Sequence, residues 1–123
     1  MKMILIAGAF GAMLAVVLGA FAAHGLKGRL PDAMMSAFQT AVQYQMYHSL
    51  GLILLVVLYR QQTQPLLIWS AGFMLAGIVL FSGSLYLLAL TQVRGFGPIT
   101  PIGGLCFIMA WALLLVSVYR GYD

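Results

Sequence analysis

What most constrains this chain is how little charge it carries. Formal charges sit only at Lys2, Lys27, Arg29, Asp32, Arg60, Arg94, Arg120 and Asp123. They divide the sequence into four uncharged stretches, Met3–Leu26, Ala33–Tyr59, Gln61–Val93 and Gly95–Tyr119. Each is longer than the roughly 20 residues with which a helix crosses about 30 Å of hydrocarbon. A water-soluble domain is about 25% charged. Here the figure is 7%, against 63% apolar residues, so most of the surface must face lipid rather than water. Barrel strands would alternate apolar and polar residues in short segments, whereas these runs are unbroken. The fold class expected is therefore an all-α membrane protein. It forms a single domain over residues 1–123, with four transmembrane helices bundled at about 4–23, 43–59, 66–90 and 99–119.

The net charge of +4 does not indicate nucleic acid, because a nucleic-acid site gathers its cations on one face. The six basic residues instead stand at the ends of apolar runs, as interfacial anchors do. Lys27, Arg29 and Arg94 are the candidates for contact with lipid headgroups. Trp69, Tyr59, Tyr119 and Tyr122 fall near the expected helix ends, where amphipathic rings favour the headgroup layer. Four crossings place Lys2, Arg60 and Arg120 on one side and Lys27, Arg29 and Arg94 on the other. That three-to-three tie gives the positive-inside rule nothing to act on. Cys106 is the only cysteine, so no intrachain disulfide can form, and its apolar surroundings mark it as a packing residue.

Lys2, the first apolar run and Ala20-Phe21-Ala22 together have features of a signal peptide with a small-residue cleavage site. The run continues unbroken to His24, longer than a usual signal core, and is read as the first transmembrane helix. Along it Ala7, Gly11, Ala15, Gly19 and Ala23 recur at a strict spacing of four, with Gly8, Ala12 and Ala20 alongside. Such small residues let another helix backbone approach closely, either within the bundle or in a seam between two copies. The third stretch has a shorter version in Gly72, Ala76 and Gly77, followed by Ser82-Gly83-Ser84.

Asp32, after Pro31, can cap the helix that follows. From there Met34, Met35, Phe38, Val42 and Met46 share one helical face, and Ser36, Gln39, Thr40, Gln43 and Tyr47 the other. This amphipathic segment, at about 32–43, fits an interfacial helix between the first and second spans. It fits equally a rod running straight into the second. Gln61–Gln64 with Pro65, and Arg94-Gly95-Phe96-Gly97-Pro98, form the later turns, and Pro101 suits the first turn of the fourth helix.

The ends of helices one and three and the starts of helices two and four share one side of the membrane. Near it lie His24, Tyr44, Gln45, His48, Ser82, Ser84, Tyr86, Thr91, Arg94 and Thr100. Polar groups inside a bilayer tend to face the bundle interior or water, so these residues constitute a candidate polar pocket. Tyr44 and Gln45 lie at i−4 and i−3 from His48 and can share its face. A second helix starting near Val42 would put His48 about 9 Å into the span, within reach of His24. Two facing histidines could serve haem, a metal ion or a quinone headgroup, or could pass a proton. More plainly, each imidazole would hydrogen-bond a backbone carbonyl, Tyr44 or Ser49, as polar side chains do between membrane helices. Arg94, flanked by Gly95 and Gly97, could reach over the pocket, hold a lipid phosphate or snorkel.

A catalytic metal wants three protein ligands, and no such set is present. Nor is there a carboxylate pair, a nucleophile with its base, or a phosphate-binding glycine loop. The chain is therefore expected not to be an enzyme and to need no resident cofactor, haem and quinone being the two that the histidines could serve.

Four blocks occur in order: Gly19-Ala20-Phe21-Ala22-Ala23-His24-Gly25-Leu26, Tyr44-Gln45 with His48, Leu80-Phe81-Ser82-Gly83-Ser84-Leu85-Tyr86, and Gly97-Pro98-Ile99-Thr100-Pro101-Ile102-Gly103-Gly104. Together they resemble the small YgdD-like inner-membrane proteins of unknown function, which have eukaryotic relatives among small transmembrane proteins. That resemblance implies a multi-pass protein of the bacterial plasma membrane and implies no activity. Two functions follow as expectations. One is a lipid-contacting or partner-binding membrane module, assembling with its own copies or as an accessory subunit in a larger complex. The other is a small transporter, channel or redox protein built around His24, His48 and Arg94.

Overall fold

The computed structural model describes residues 1–121; Tyr122, expected as an interfacial anchor, lies outside the described residues. Four helical rods are long and apolar enough to cross a membrane: Lys2–His24, Asp32–Gln61, Pro65–Thr91 and Arg94–Gly121. The last begins with a 3₁₀ turn, Arg94–Phe96, and becomes α-helical over Ile99–Gly121. The all-helical, four-span expectation holds.

Of the two shapes open to the amphipathic segment, the structure takes the single rod: the second helix runs unbroken from Asp32 to Gln61. Its apolar side packs inward. Phe38 is buried beside Ala22, Leu26 and Ala89, with Met34, Met35 and Val42 against the same cluster. The Phe38 ring meets Tyr86 edge-on at 5.0 Å and Phe21 at 6.5 Å. These turns therefore cover the ends of the first and third helices, while Ser36, Gln39, Gln43 and Tyr47 remain exposed. Asp32 is the first helical residue rather than the cap. No side chain caps this end, and the carboxylate stands in the first turn, where the helix dipole favours it.

The third rod is α-helical over Pro65–Gly77 and Gly83–Thr91, with a π-helical turn at Ile78–Ser82 between them. Pro65 opens it, in the position where its missing donor costs nothing. Gln92, at φ 58°, ends it.

The first helix packs on the second, the second on the third, and the third on the fourth. The core at the Gln62–Gln64 end is Leu52, Leu55, Leu67, Ala71, Met74, Ala110 and Leu114. Large apolar side chains such as Met3, Phe10, Val16, Val79, Leu105, Ile108 and Leu115 point outward, as they must where the solvent is lipid. All six basic residues are exposed.

The seam between the first and second helices differs from the strict four-residue stripe. Gly8, Ala15 and Ala22 are buried; Ala7, Gly11 and Gly19 are half-buried, and Ala23 is exposed. Four residues advance a helix by 40° more than one turn, so Ala7 and Ala23 point about 160° apart. The true contact line runs Ile4, Gly8, Gly11, Ala15, Leu18, Ala22, alternating four and three. That period of 3.5 keeps one face on a partner helix. A Cβ on Gly8 would lie 2.8 Å from the Ser49 carbonyl oxygen, and one on Gly11 would collide with the Ser49 hydroxyl.

Candidate functional site

The polar residues expected in one pocket are shared out among separate helix–helix contacts. The Gln45 amide is buried and ties three helices together. Its Nε2 donates to the Gly11 carbonyl at 2.8 Å, and its Oε1 accepts from the Tyr86 hydroxyl at 2.6 Å. Ser82 Oγ donates to the Ala41 carbonyl at 2.8 Å. The Ser84 and Thr100 hydroxyls share a hydrogen bond at 2.5 Å. Further along, Ser70 Oγ donates to the Ala110 carbonyl at 2.7 Å and Ser117 Oγ to Gln64 Oε1 at 3.2 Å. With no water in hydrocarbon, each such bond satisfies a group that would otherwise be unpaired. Ser49 Oγ is the exception, buried without a hydrogen-bond partner among the described residues.

His48 lies sixteen residues into its helix, about 24 Å along the axis, and not near the start of the span, because the helix begins at Asp32. It is buried, and both ring nitrogens are engaged. Nδ1 lies 2.7 Å from the Tyr44 carbonyl oxygen, and the Trp111 indole Nε1 donates to Nε2 at 3.0 Å. A carbonyl can only accept and an indole N–H can only donate. The pair of bonds therefore fixes the neutral tautomer that carries its proton on Nδ1.

His24 and Arg94 are exposed, and neither joins His48. Lys27, Arg29 and Arg94 lie in the turns at one end of the bundle, where headgroup contact remains open to them. Among the described residues, no three His, Cys, Asp or Glu side chains gather as a metal site.

Around His48 the structure builds a groove of about 610 Å³. Tyr44 and His48 line it from the second helix and Phe81 from the third. Pro101, Gly104, Leu105, Phe107, Ile108 and Trp111 line it from the fourth. Five of these are rings packed together. Phe107 stacks on His48 with centroids 3.5 Å apart and planes 10° apart. Tyr44 lies 4.7 Å from Phe81, and Trp111 meets His48 edge-on at 5.9 Å. The Phe107 ring also lies against Gly77, where a Cβ would collide with it. Phe81 belongs to the π-helical turn, a local irregularity often found at functional sites. Its backbone crosses so close to Gly103 that a Cβ there would strike it.

Tyr44 and His48 were legible as a pair at helical spacing. Phe107 and Trp111 were not singled out, although they too stand at i and i+4. Trp111 also sits deep in an apolar run, away from the ends where interfacial tryptophans belong. Those two signals together could have marked the face.

Residues 18–104 match the family described as "Protein of unknown function (DUF423)". The chain is similar to the UPF0382 membrane protein SH2409 of Staphylococcus haemolyticus, with 50% identity over 98% of each chain. It is 48% identical to the UPF0382 membrane protein YwdK of Bacillus subtilis and 51% identical to the UPF0382 membrane protein SERP0230 of Staphylococcus epidermidis, again over 98% of each chain. No solved structure matches. With four membrane-spanning helices and relatives named as membrane proteins along their whole length, the chain is a multi-pass protein of the bacterial plasma membrane, and it belongs to the DUF423 family.

Proposed function

We propose that this protein is a non-enzymatic, lipid-contacting membrane module that holds an apolar molecule of the bilayer between its second and fourth helices. The observation that carries this is the groove. Its volume of about 610 Å³ falls within the roughly 300–1,000 Å³ of small-molecule sites. Its walls are mainly apolar and aromatic, and the helices that form it stand in hydrocarbon. The absence of catalysis is supported by the way polar side chains are used: Gln45, Ser70, Ser82, Ser84, Tyr86 and Thr100 join one helix to another. A transporter or redox centre built on His24, His48 and Arg94 gains no such support, since two of the three are exposed and outside the groove.

Gly104 offers the test. A Cβ there would first meet the Phe81 ring at 3.8 Å, an ordinary contact, so the backbone at Gly104 accepts a side chain, and Gly104→Leu narrows the groove. Native mass spectrometry after gentle extraction from the membrane should find a discrete added mass of lipid size on the wild type. That mass should be absent from the variant, at unchanged helical content. Equal retention by both proteins, or none by either, would defeat the proposal. A protein chain lost from the variant would make this an accessory subunit instead.

A further inference from the structure

Resting on the proposed use of the groove as a ligand site, the geometry points to a particular class of occupant. It is a flat ring with a hydrogen-bond-accepting oxygen and an apolar tail, the chemistry of a membrane quinone. Three lining residues carry polar side-chain atoms. The Trp111 indole donates to His48 Nε2, and His48 Nδ1 donates to the Tyr44 carbonyl, so both are engaged. The Tyr44 hydroxyl has no hydrogen-bond partner among the described residues, although its ring is packed 4.7 Å from Phe81 and 6.2 Å from Phe107.

Depth makes that hydroxyl informative. Phe107 is eight residues into the fourth helix and Phe81 ten residues before the end of the third. These spacings correspond to about 12 Å and 15 Å along the helix axes. The fourth helix, at roughly 34 Å, barely exceeds the hydrocarbon thickness of about 30 Å, so the Tyr44 ring packs at hydrocarbon depth. Tyr44 is exposed at the bundle surface rather than enclosed in it, and a hydroxyl left unpaired in hydrocarbon is costly. A plain acyl chain would leave it unpaired, and a phospholipid's ester carbonyls sit at the headgroup level, about 10 Å away. A ring carbonyl lying in the groove would meet it.

Shape points the same way. Tyr44, His48, Phe81, Phe107 and Trp111 present ring faces and edges, and flat rings associate with these in offset or edge-on geometry. Gly104 adds no side chain to the opening, which leaves an isoprenoid or alkyl tail a way out to the bilayer.

Trp111 reports on the site directly. In a Trp69→Phe background it is the only tryptophan. In phosphatidylcholine nanodiscs, a benzoquinone carrying a decyl chain should quench its fluorescence saturably. Decylbenzene at equal concentration should not displace the quinone. Tyr44→Phe, which removes no hydrogen bond within the protein, should weaken quinone binding roughly three- to tenfold, the range for one hydrogen bond. If Tyr44→Phe binds the quinone equally well, the inference is overturned while the groove stands as a ligand site. If decylbenzene competes equally, the occupant is a hydrocarbon tail and the inference again fails alone. If the quinone shows no saturation and Gly104→Leu loses no bound mass, the groove reading falls with it.

Discussion

Trp111 donates its indole N–H to Nε2 of His48 at 3.0 Å, across the gap between the fourth and second helices. The backbone of the two helices stays apart there, and the contact is made by side chains: the indole, the imidazole and the stacked Phe107 ring. This bond fixes the imidazole tautomer and makes the groove's two long walls one unit. A histidine inside a bilayer suggests chemistry by default, but here it receives one hydrogen bond and gives another, which is what a structural joint requires.

Trp111→Phe keeps most of the apolar contact and removes the donor. The expected loss is about 0.5–1.5 kcal/mol of stability, read as a lower midpoint of thermal unfolding in detergent by circular dichroism. His48→Ala, which also unstacks Phe107, should cost more. An equal effect of the two would mean that the stack contributes nothing.

Gln45→Leu should weaken the three-helix joint, because both the Gly11 carbonyl and the Tyr86 hydroxyl lose their bond to the amide. A double-mutant cycle with Tyr86→Phe should give a coupling of about 0.6 kcal/mol and no more than about 1.7 kcal/mol, the mean and maximum for hydrogen bonds between membrane helices. Additive single effects would show that the 2.6 Å bond is energetically silent.

Gly8→Leu and Ala23→Leu separate the two descriptions of the first helix. Gly8 faces the Ser49 carbonyl at a distance that admits no Cβ, so its replacement should detach the first helix from the second and expose the turn between them to protease. Ala23 is exposed, and leucine there should be neutral within about 0.5 kcal/mol. Equal damage from both would restore the four-residue stripe.

Gly77→Ala and Gly103→Ala should each destabilise the bundle, by about 1–3 kcal/mol for an overpacked contact. The Gly103 variant should be the worse of the two. At Gly77 the new methyl strikes a ring, whereas at Gly103 it strikes the backbone of Phe81, which cannot turn aside. Comparing the two midpoints of thermal unfolding checks the order.

The sequence alone determined the solvent, and the solvent determined most of the fold. With eight charged residues among 123, hydrocarbon was the only medium in which these stretches could stay exposed. In that medium a backbone must satisfy itself within a helix or a closed barrel. Four helices, their turns at Pro31, Pro65 and Pro98, and the small-residue character of the first helix were all readable from that. Gln45, His48 and Tyr86 stood out in the sequence as polar groups that need a partner inside a bilayer.

Their assignments to partners were not readable, because a polar side chain in a span announces only that it needs a hydrogen bond, not which neighbour will supply it. That is decided by rotation and depth. Starting the second helix at Asp32 carried His48 away from His24 and brought it level with Trp111. A contact line of period 3.5 turned Ala23 out and Gly8 in. The groove itself arises because Gly77 admits Phe107 and Gly103 admits Phe81. Such shape complementarity between distant stretches leaves no local signature in the chain, since each residue is ordinary in its own helix and acquires its role only when the helices meet.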